Sequence, residues 1–270
     1  MQPPFNYYGG KERMSTHILP LFPAHVRYVE PFLGGGSIFW AKTPSKSEVI
    51  NDIDNKVVNF YEVLKTDWDL LEKKINNTLH SEYHYLLSKK ILKEPMVDRI
   101  EYAWALWAAC CLSFSHNIFG GFAFGNDGIS SKNTRNTIKD FSMIYAKRLQ
   151  NAEIFCRDAV DIIKLKDTHD TFFYIDPPYV SSDCGHYKGY TMEQFTELLD
   201  CISNIKGKFL LSSYPEKILM DYCNKHGWIK KEITKIVSVS GKRKNTKYKI
   251  ECLTYNYQPP QLTMDLFSSQ

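Results

Sequence analysis

Apolar and polar positions along this chain fall into two regimes. In the first and last thirds, short apolar or β-branched runs end in glycine, proline or an acidic residue, at residues 25–30, 48–52, 171–176 and 208–213. Runs of this kind predict buried parallel strands, covered on both faces. Helical spacings lie between them. Thr191 and Gln194 have the spacing of a capping box, and Phe195, Leu198, Leu199 and Ile202 follow on one face. That alternation predicts an α/β doubly wound sheet. Near the end, residues 233–240 and 246–255 flank a basic segment, and Tyr248, Ile250 and Cys252 alternate with charged or polar neighbours, which predicts an antiparallel hairpin at the sheet's edge.

The middle third carries only the helical period, through Leu64, Trp68, Leu71 and Ile75 and then Tyr102, Leu106, Ala109 and Leu112. It predicts a helical lobe, residues 56–151, inserted into a discontinuous α/β domain made of residues 1–55 and 152–258. Trp104 and Trp107 are read as core of that lobe. Its glycine-rich stretch at 119–128 predicts a loop and tight hairpin, with a polar continuation at 130–136. Pro259 and Pro260 close the fold ahead of a tail, residues 259–270.

A chain of 270 residues is near the upper limit for one core, and 43% hydrophobic with 24% charged residues excludes a disordered polymer. No apolar run approaches the roughly 18 residues that span a bilayer, and no basic segment followed by an apolar core opens the chain. The expectation is a cytoplasmic protein, monomeric, with no membrane partner. The 7 cysteines show no C-x-x-C spacing, so they read as reduced thiols and no metal site is expected. A net charge of +4 announces nothing by itself, but Lys230 to Lys249 holds eight basic residues against Glu232. Lys242, Arg243 and Lys244 at its centre are candidates for a phosphate backbone.

Two turns carry candidate chemistry. After the first strand come Glu30, Pro31, Phe32, Leu33, Gly34, Gly35 and Gly36, glycines placed where backbone must approach a ligand closely. Asp52 ends the next strand about twenty residues on, where a ribose diol would be held. The G-x-G-x-x-G phosphate fingerprint is absent, so a nucleoside cofactor without pyrophosphate fits better than a dinucleotide. The second turn is Asp176-Pro177-Pro178-Tyr179, directly after the apolar strand ending at Ile175.

Together with Tyr8, Gly9, Gly10 and Lys11, Asn51-Asp52 and Arg157-Asp158, in this order, these motifs resemble the Dam-type, alpha-class DNA adenine-N6 methyltransferases. The resemblance covers residues 1–55 and 152–257 and is much weaker between them. It implies a Rossmann-like class-I methyltransferase sheet, mostly parallel with an antiparallel C-terminal hairpin, and an inserted helical target-recognition lobe. It implies S-adenosylmethionine as cofactor and double-stranded DNA as substrate. Asp176, Pro177, Pro178 and Tyr179 would be catalytic. Tyr8, Gly9, Gly10, Glu30, Pro31, Phe32, Gly34, Gly36, Asp52, Asp158 and Asp176 would bind the cofactor, with Asp161 an alternative to Asp158. Lys11 would face either the cofactor carboxylate or the target nucleotide.

The chemistry points the same way. An exocyclic amino nitrogen is a poor nucleophile and needs acceptors for its N–H groups, which Asp176 and the Pro177 carbonyl offer. Sequence reading is assigned to Asn117, Asn126, Lys132, Asn133, Arg135 and Asn136, whose amide and guanidinium groups suit major-groove edges. The tail, with Gln261, Leu262, Leu266 and Phe267, resembles peptides that dock on a sliding clamp, although it could equally fold back on its own sheet. Methylation of RNA adenine or of cytosine N4, and an inactive DNA-binding regulator, are the rival readings. By resemblance to the family, the aspartate at the head of the second turn favours adenine over cytosine and the inserted lobe favours duplex DNA, and the intact turns disfavour the regulator.

Overall fold

The computed structural model describes residues 1–118, 120–180, 190–237 and 247–260. Lys242, Arg243, Lys244, Cys184 and the tail residues Gln261, Leu262, Leu266 and Phe267 lie outside the described residues. In chain order the elements are α1 (Ser15–Ile18), β1 (Arg27–Glu30), α2 (Ser37–Ala41), β2 (Ser47–Asn51), α3 (Asn55–Thr66), α4 (Trp68–Asn76), α5 (Glu82–Lys93) and α6 (Arg99–Leu112). They continue with α7 (Ile129–Asp140), α8 (Ile144–Leu149), β3 (Ala152–Phe155), α9 (Ala159–Lys166), β4 (Thr171–Ile175), α10 (Met192–Ile202), β5 (Lys208–Ser213), α11 (Lys217–His226), β6 (Ile229–Val237) and β7 (Lys247–Tyr255).

The strands form one sheet in the order β3-β2-β1-β4-β5-β7-β6. The first five are parallel, and β7 runs antiparallel between β5 and β6. This is the expected Rossmann-like mixed sheet, mostly parallel with an antiparallel C-terminal hairpin. Side chains alternate between two apolar layers, as the pleat requires. Tyr28, Phe172, Tyr174, Leu210 and Leu253 face a cluster that includes α3 and α6. Val29, Phe173, Ile175, Phe209 and Leu211 face α9, α10 and α11 on the other side. Both faces being covered explains why the parallel strands read as continuous apolar runs.

The helices between β2 and β3 share their buried side chains with the sheet: Trp68, Leu71 and residues 103–110 lie in the same cluster as Tyr28 and Ile50. α6 is apolar nearly all round and almost wholly buried, and Trp104 and Trp107 are core. Arg148 of α8 and Lys42 converge on the buried Glu48 of β2.

Three elements differ from the sequence expectation. β3 was not expected as a strand; it pairs β2 at the sheet edge, where its four residues, with Ala152 buried, Ile154 and Phe155 half-buried and Glu153 exposed, are too few to give a clear apolar run. β6 begins at Ile229, four residues before the expected start. The polar continuation at 130–136 is not loop or hairpin but the helix α7, whose buried contact is Thr134, hydrogen-bonded to His80 Nδ1 at 2.8 Å. Among the described residues no helix is long and apolar enough to cross a membrane.

Candidate active site

β1 and β4 are neighbours, and their connections leave in opposite directions, β1 to β2 and β4 to β5. The crevice beyond their carboxyl ends is therefore the switch point at which open α/β sheets bind ligands. Both candidate turns open there.

At the end of β1, Gly34 and Gly36 have φ of +49° and +65°, a left-handed backbone that side-chain-bearing residues rarely adopt. Gly35 is needed for closeness instead. The N-terminal segment crosses over the turn, held by Trp107 Nε1 donating to the Pro4 carbonyl at 3.1 Å and by Phe5 packed edge-on to Phe60. Gly10 N–H donates to the Tyr7 carbonyl at 3.0 Å, and the segment then delivers Lys11 into the crevice.

The turn is also held from behind. Asp52 accepts the Gly34 N–H at 2.8 Å and the Asp54 N–H at 2.9 Å. Burial pushes the Asp52 carboxyl up to about 6, against the pull of those two amides. Asn51 clips three strand ends together, donating to the carbonyls of Pro31 and Arg157 at 2.9 and 3.0 Å and accepting the Arg157 N–H at 3.0 Å.

At the end of β4, Asp176 receives the Lys11 ammonium on both oxygens, at 2.6 and 2.9 Å. Glu251 Oε1 of β7 stands 3.8 Å from the same nitrogen. Burial alone would pull the Lys11 pKa down, but the Asp176 and Glu251 carboxylates outweigh it and hold the ammonium above the usual lysine range. The Tyr179 hydroxyl donates to Glu251 and lies 3.3 Å from Ser212 Oγ, which itself donates to Glu251 at 2.5 Å. The ring of Tyr214 lies edge-on to Tyr179 with centroids 4.3 Å apart. Glu30 is buried beneath the turn and accepts the Tyr28 hydroxyl at 2.6 Å. Burial pushes its carboxyl up to about 8, the Tyr28 bond working against that shift and the nearby Asp176 charge adding to it.

One cavity of about 360 Å³ collects Tyr8, Gly9, Gly10, Lys11, Glu30, Phe32, Gly34, Gly36, Asp176, Pro177, Pro178 and Tyr179. Its size lies in the range of roughly 300–1,000 Å³ typical of small-molecule sites. Pro31, Asp52 and Asp158 are not on its wall. Asp158 is exposed and caps α9 through the Val160 N–H at 2.8 Å. Of the residues assigned to sequence reading, Lys132, Asn133, Arg135 and Asn136 are exposed on α7 and Asn126 is exposed just before it, while Asn117 is half-buried. Tyr214, Lys249 and Glu251 line the same cavity and were not expected there; nor was Ser212, which anchors Glu251. The available signal was a charged Glu251 beside Cys252 and Leu253 in a strand interior. Among the described residues no group of three or more His, Cys, Asp or Glu is arranged to hold a metal ion.

The sequence matches, over residues 7–249, the family described as D12 class N6 adenine-specific DNA methyltransferase. It is 26% identical over 230 residues to the type II methyltransferase M1.LlaDCHI of Lactococcus lactis subsp. cremoris, covering 79% of this chain and 81% of that one. To the modification methylase StsI of Streptococcus sanguinis it is 24% identical over 243 residues, covering 83% of this chain but 34% of that one, so it spans about a third of that relative's length. The type II methyltransferase M.MjaIII of Methanocaldococcus jannaschii is 24% identical over 221 residues, covering 73% and 76%.

Proposed function

The chain belongs to the D12 class N6 adenine-specific DNA methyltransferases, and from that premise we propose that it methylates adenine N6 at a specific site in duplex DNA, using the Asp176 turn. The observation that carries the reading is the meeting of the Asp176 and glycine turns, from adjacent strands, in one cavity.

The cavity fits S-adenosylmethionine, the methyl donor of this enzyme class. Gly9 leaves part of its wall open to close approach, with nothing within 4 Å of where a Cβ would stand, whereas Gly10 lets the N-terminal segment pack closely, since a Cβ there would stand 3.0 Å from Ser37 Oγ. Tyr8, Gly9, Gly10, Glu30, Phe32, Gly34 and Gly36 would hold the cofactor, with Pro31, Asp52 and Asp158 shaping or flanking its pocket. When bound, the cofactor supplies an electrophilic sulfonium methyl. The remaining tasks fall to the chain's own residues.

The target nitrogen's lone pair is delocalised into the ring. Asp176 and the Pro177 carbonyl accept its two N–H groups and stabilise the positive charge that grows on it. Tyr179, with Tyr214 beside it, provides an aromatic wall for the base. A base inside the helix cannot reach this site, so the nucleotide flips out at a cost of a few kcal/mol, and stacking returns about 1–3 kcal/mol.

Residues 1–55 and 152–258 serve as the cofactor and catalytic part, and residues 56–151 as the target-recognition part, with Asn126 and the exposed side of α7 toward DNA and Asn117 alongside. Lys242, Arg243 and Lys244 contribute phosphate contacts. The motif order supports the Dam-type, alpha-class arrangement, and the name of one relative, a modification methylase, supports a modification role, either solitary or within a restriction-modification system. The tail from Gln261 to Phe267 is reserved for a clamp partner.

Sequencing of DNA from cells expressing this chain alone, read for modified bases, tests the reading. N6-methyladenine at one recurring motif is expected. N4-methylcytosine, or no modification by a protein that binds S-adenosylmethionine, overturns it.

A further inference from the structure

Glu251 is out of place for a merely structural residue. β7 is an interior strand, paired to β5 and β6, and Cys252, Leu253 and Thr254 beside Glu251 are fully buried. A carboxylate 2% exposed in that setting is strongly unfavourable unless hydrogen bonds and a counter-charge compensate it. Both compensations are present, and both belong to the site. Ser212 and Tyr179 hydroxyls fix Oε1, and the Lys11 ammonium stands 3.8 Å from the same atom.

The arrangement bears on a conflict at Asp176. Lys11 donates to both of its oxygens, yet an incoming target amine needs one of them. Each oxygen keeps a second lone pair, but an ammonium held this closely draws charge from the acceptor the amine needs, so a second carboxylate toward which Lys11 can move favours the exchange. Shortening the 3.8 Å separation to a charge-assisted length of about 2.8 Å needs a shift of about 1 Å, within reach of a flexible lysine stem.

We propose that Glu251 is a positioning residue for methyl transfer: it receives the Lys11 ammonium when the target amine takes its place on Asp176, and through its bond with the Tyr179 hydroxyl it fixes the ring on which the base stacks. The proposal rests on the adenine-N6 reading of this cavity. Glu251 does not touch the reacting atoms; it acts through Lys11 and Tyr179. With Glu251 neutral, the ammonium stays on Asp176 and competes with the substrate.

The test is a double-mutant cycle on the full chain, with single-turnover methylation of unmodified plasmid DNA as readout and calorimetry of S-adenosylmethionine as control. Glu251→Gln is expected to lower the transfer rate by about 10- to 100-fold, with cofactor affinity within about threefold of wild type. Glu251→Asp should recover part of the loss. In a Lys11→Met background the Glu251→Gln loss should shrink to the part carried by the bond to the Tyr179 hydroxyl, because the ammonium it manages is gone. A wild-type rate for Glu251→Gln, or a loss that persists undiminished beside Lys11→Met, overturns the proposal. If Glu251→Gln does not melt cooperatively, Ser212→Ala carries the test, since it keeps the carboxylate and removes one anchor. A Ser212→Ala loss that shrinks with Lys11→Met supports the proposal, and one that persists there undiminished overturns it. Nucleoside chromatography of the wild-type product separates the two readings. Absence of N6-methyladenine sinks the functional assignment, whereas its presence together with unaffected variants sinks only the role of Glu251.

Discussion

Gly35 lies so close beneath Tyr7 that a Cβ added to it would stand 2.6 Å from the tyrosine Cβ. The contact joins the N-terminal segment to the turn after β1, two pieces of chain that both line the cavity, so its integrity sets where Lys11 arrives.

Gly35→Ala should therefore push the N-terminal segment off the turn. The expected result is a loss of about 1–3 kcal/mol in stability, from the overpacking of a tight contact, and a weaker hold on S-adenosylmethionine. Thermal melting and calorimetry measure both. An unchanged melting temperature with unchanged affinity would show that residues 7–11 can shift without cost.

Asp176→Ala should stop methyl transfer while leaving cofactor affinity within a few-fold, because its carboxylate is assigned to the target amine. Loss of an aligned electrostatic group of this kind typically costs ~10²–10³ in rate. Near-normal turnover would remove Asp176 from the mechanism. Asp52→Ala should behave differently: Asp52 holds the Gly34 and Asp54 amides, so its loss should loosen the turn and lower cofactor affinity along with stability.

Much of this was legible in the sequence, for a physical reason. The glycine turn and the Asp176 turn are local: a few adjacent residues fix backbone conformation and donor set, and their places after apolar strands fix where they sit. The rest depends on partners distant in the chain. Glu251 reads as an exposed polar position until β7 is known to lie between β5 and β6. β3 is a strand because β2 offers it an edge, not because its own four residues insist on it. α7 is so polar that its helical period is visible only once Thr134 is seen to meet His80.

The contribution of Glu30 to the stability of the unliganded protein should fall as pH rises from about 5 to 8, with His25, whose pKa burial lowers, working in the opposite direction at the lower end. The Glu30 carboxyl titrates near 8 when folded and near 4.5 when free, so within that window the folded state holds a proton that the unfolded chain has lost. Its stabilising contribution is complete below about 4.5 and lost as pH climbs through 8, at up to about 1.4 kcal/mol per pH unit. Asp52, raised from 3.8 to about 6, adds in the same direction over a lower window. Melting temperatures from pH 5 to 8 check this. Glu30→Gln should flatten the upper part of the curve, and an identical slope in that variant would mean Glu30 is ionised in the fold.

α7 makes the last prediction separable by kind of contact. Lys132, Asn133, Arg135 and Asn136 are all exposed on it; amide and guanidinium groups have a planar donor geometry suited to bidentate base-edge contacts, whereas the ammonium of Lys132 is a point charge that serves a phosphate as well as a base edge. Asn133→Ala or Arg135→Ala should relax discrimination at one base pair by about 1–3 kcal/mol. Lys132→Ala should instead weaken binding to specific and unrelated duplexes alike and reduce the slope of log affinity against log salt by about 0.9. Binding titrations at several salt concentrations, on the target motif and its single-base variants, distinguish the two patterns. A uniform loss for Arg135→Ala with a reduced salt slope would move Arg135 to the phosphate backbone, and no effect from any of the three would turn α7 away from DNA.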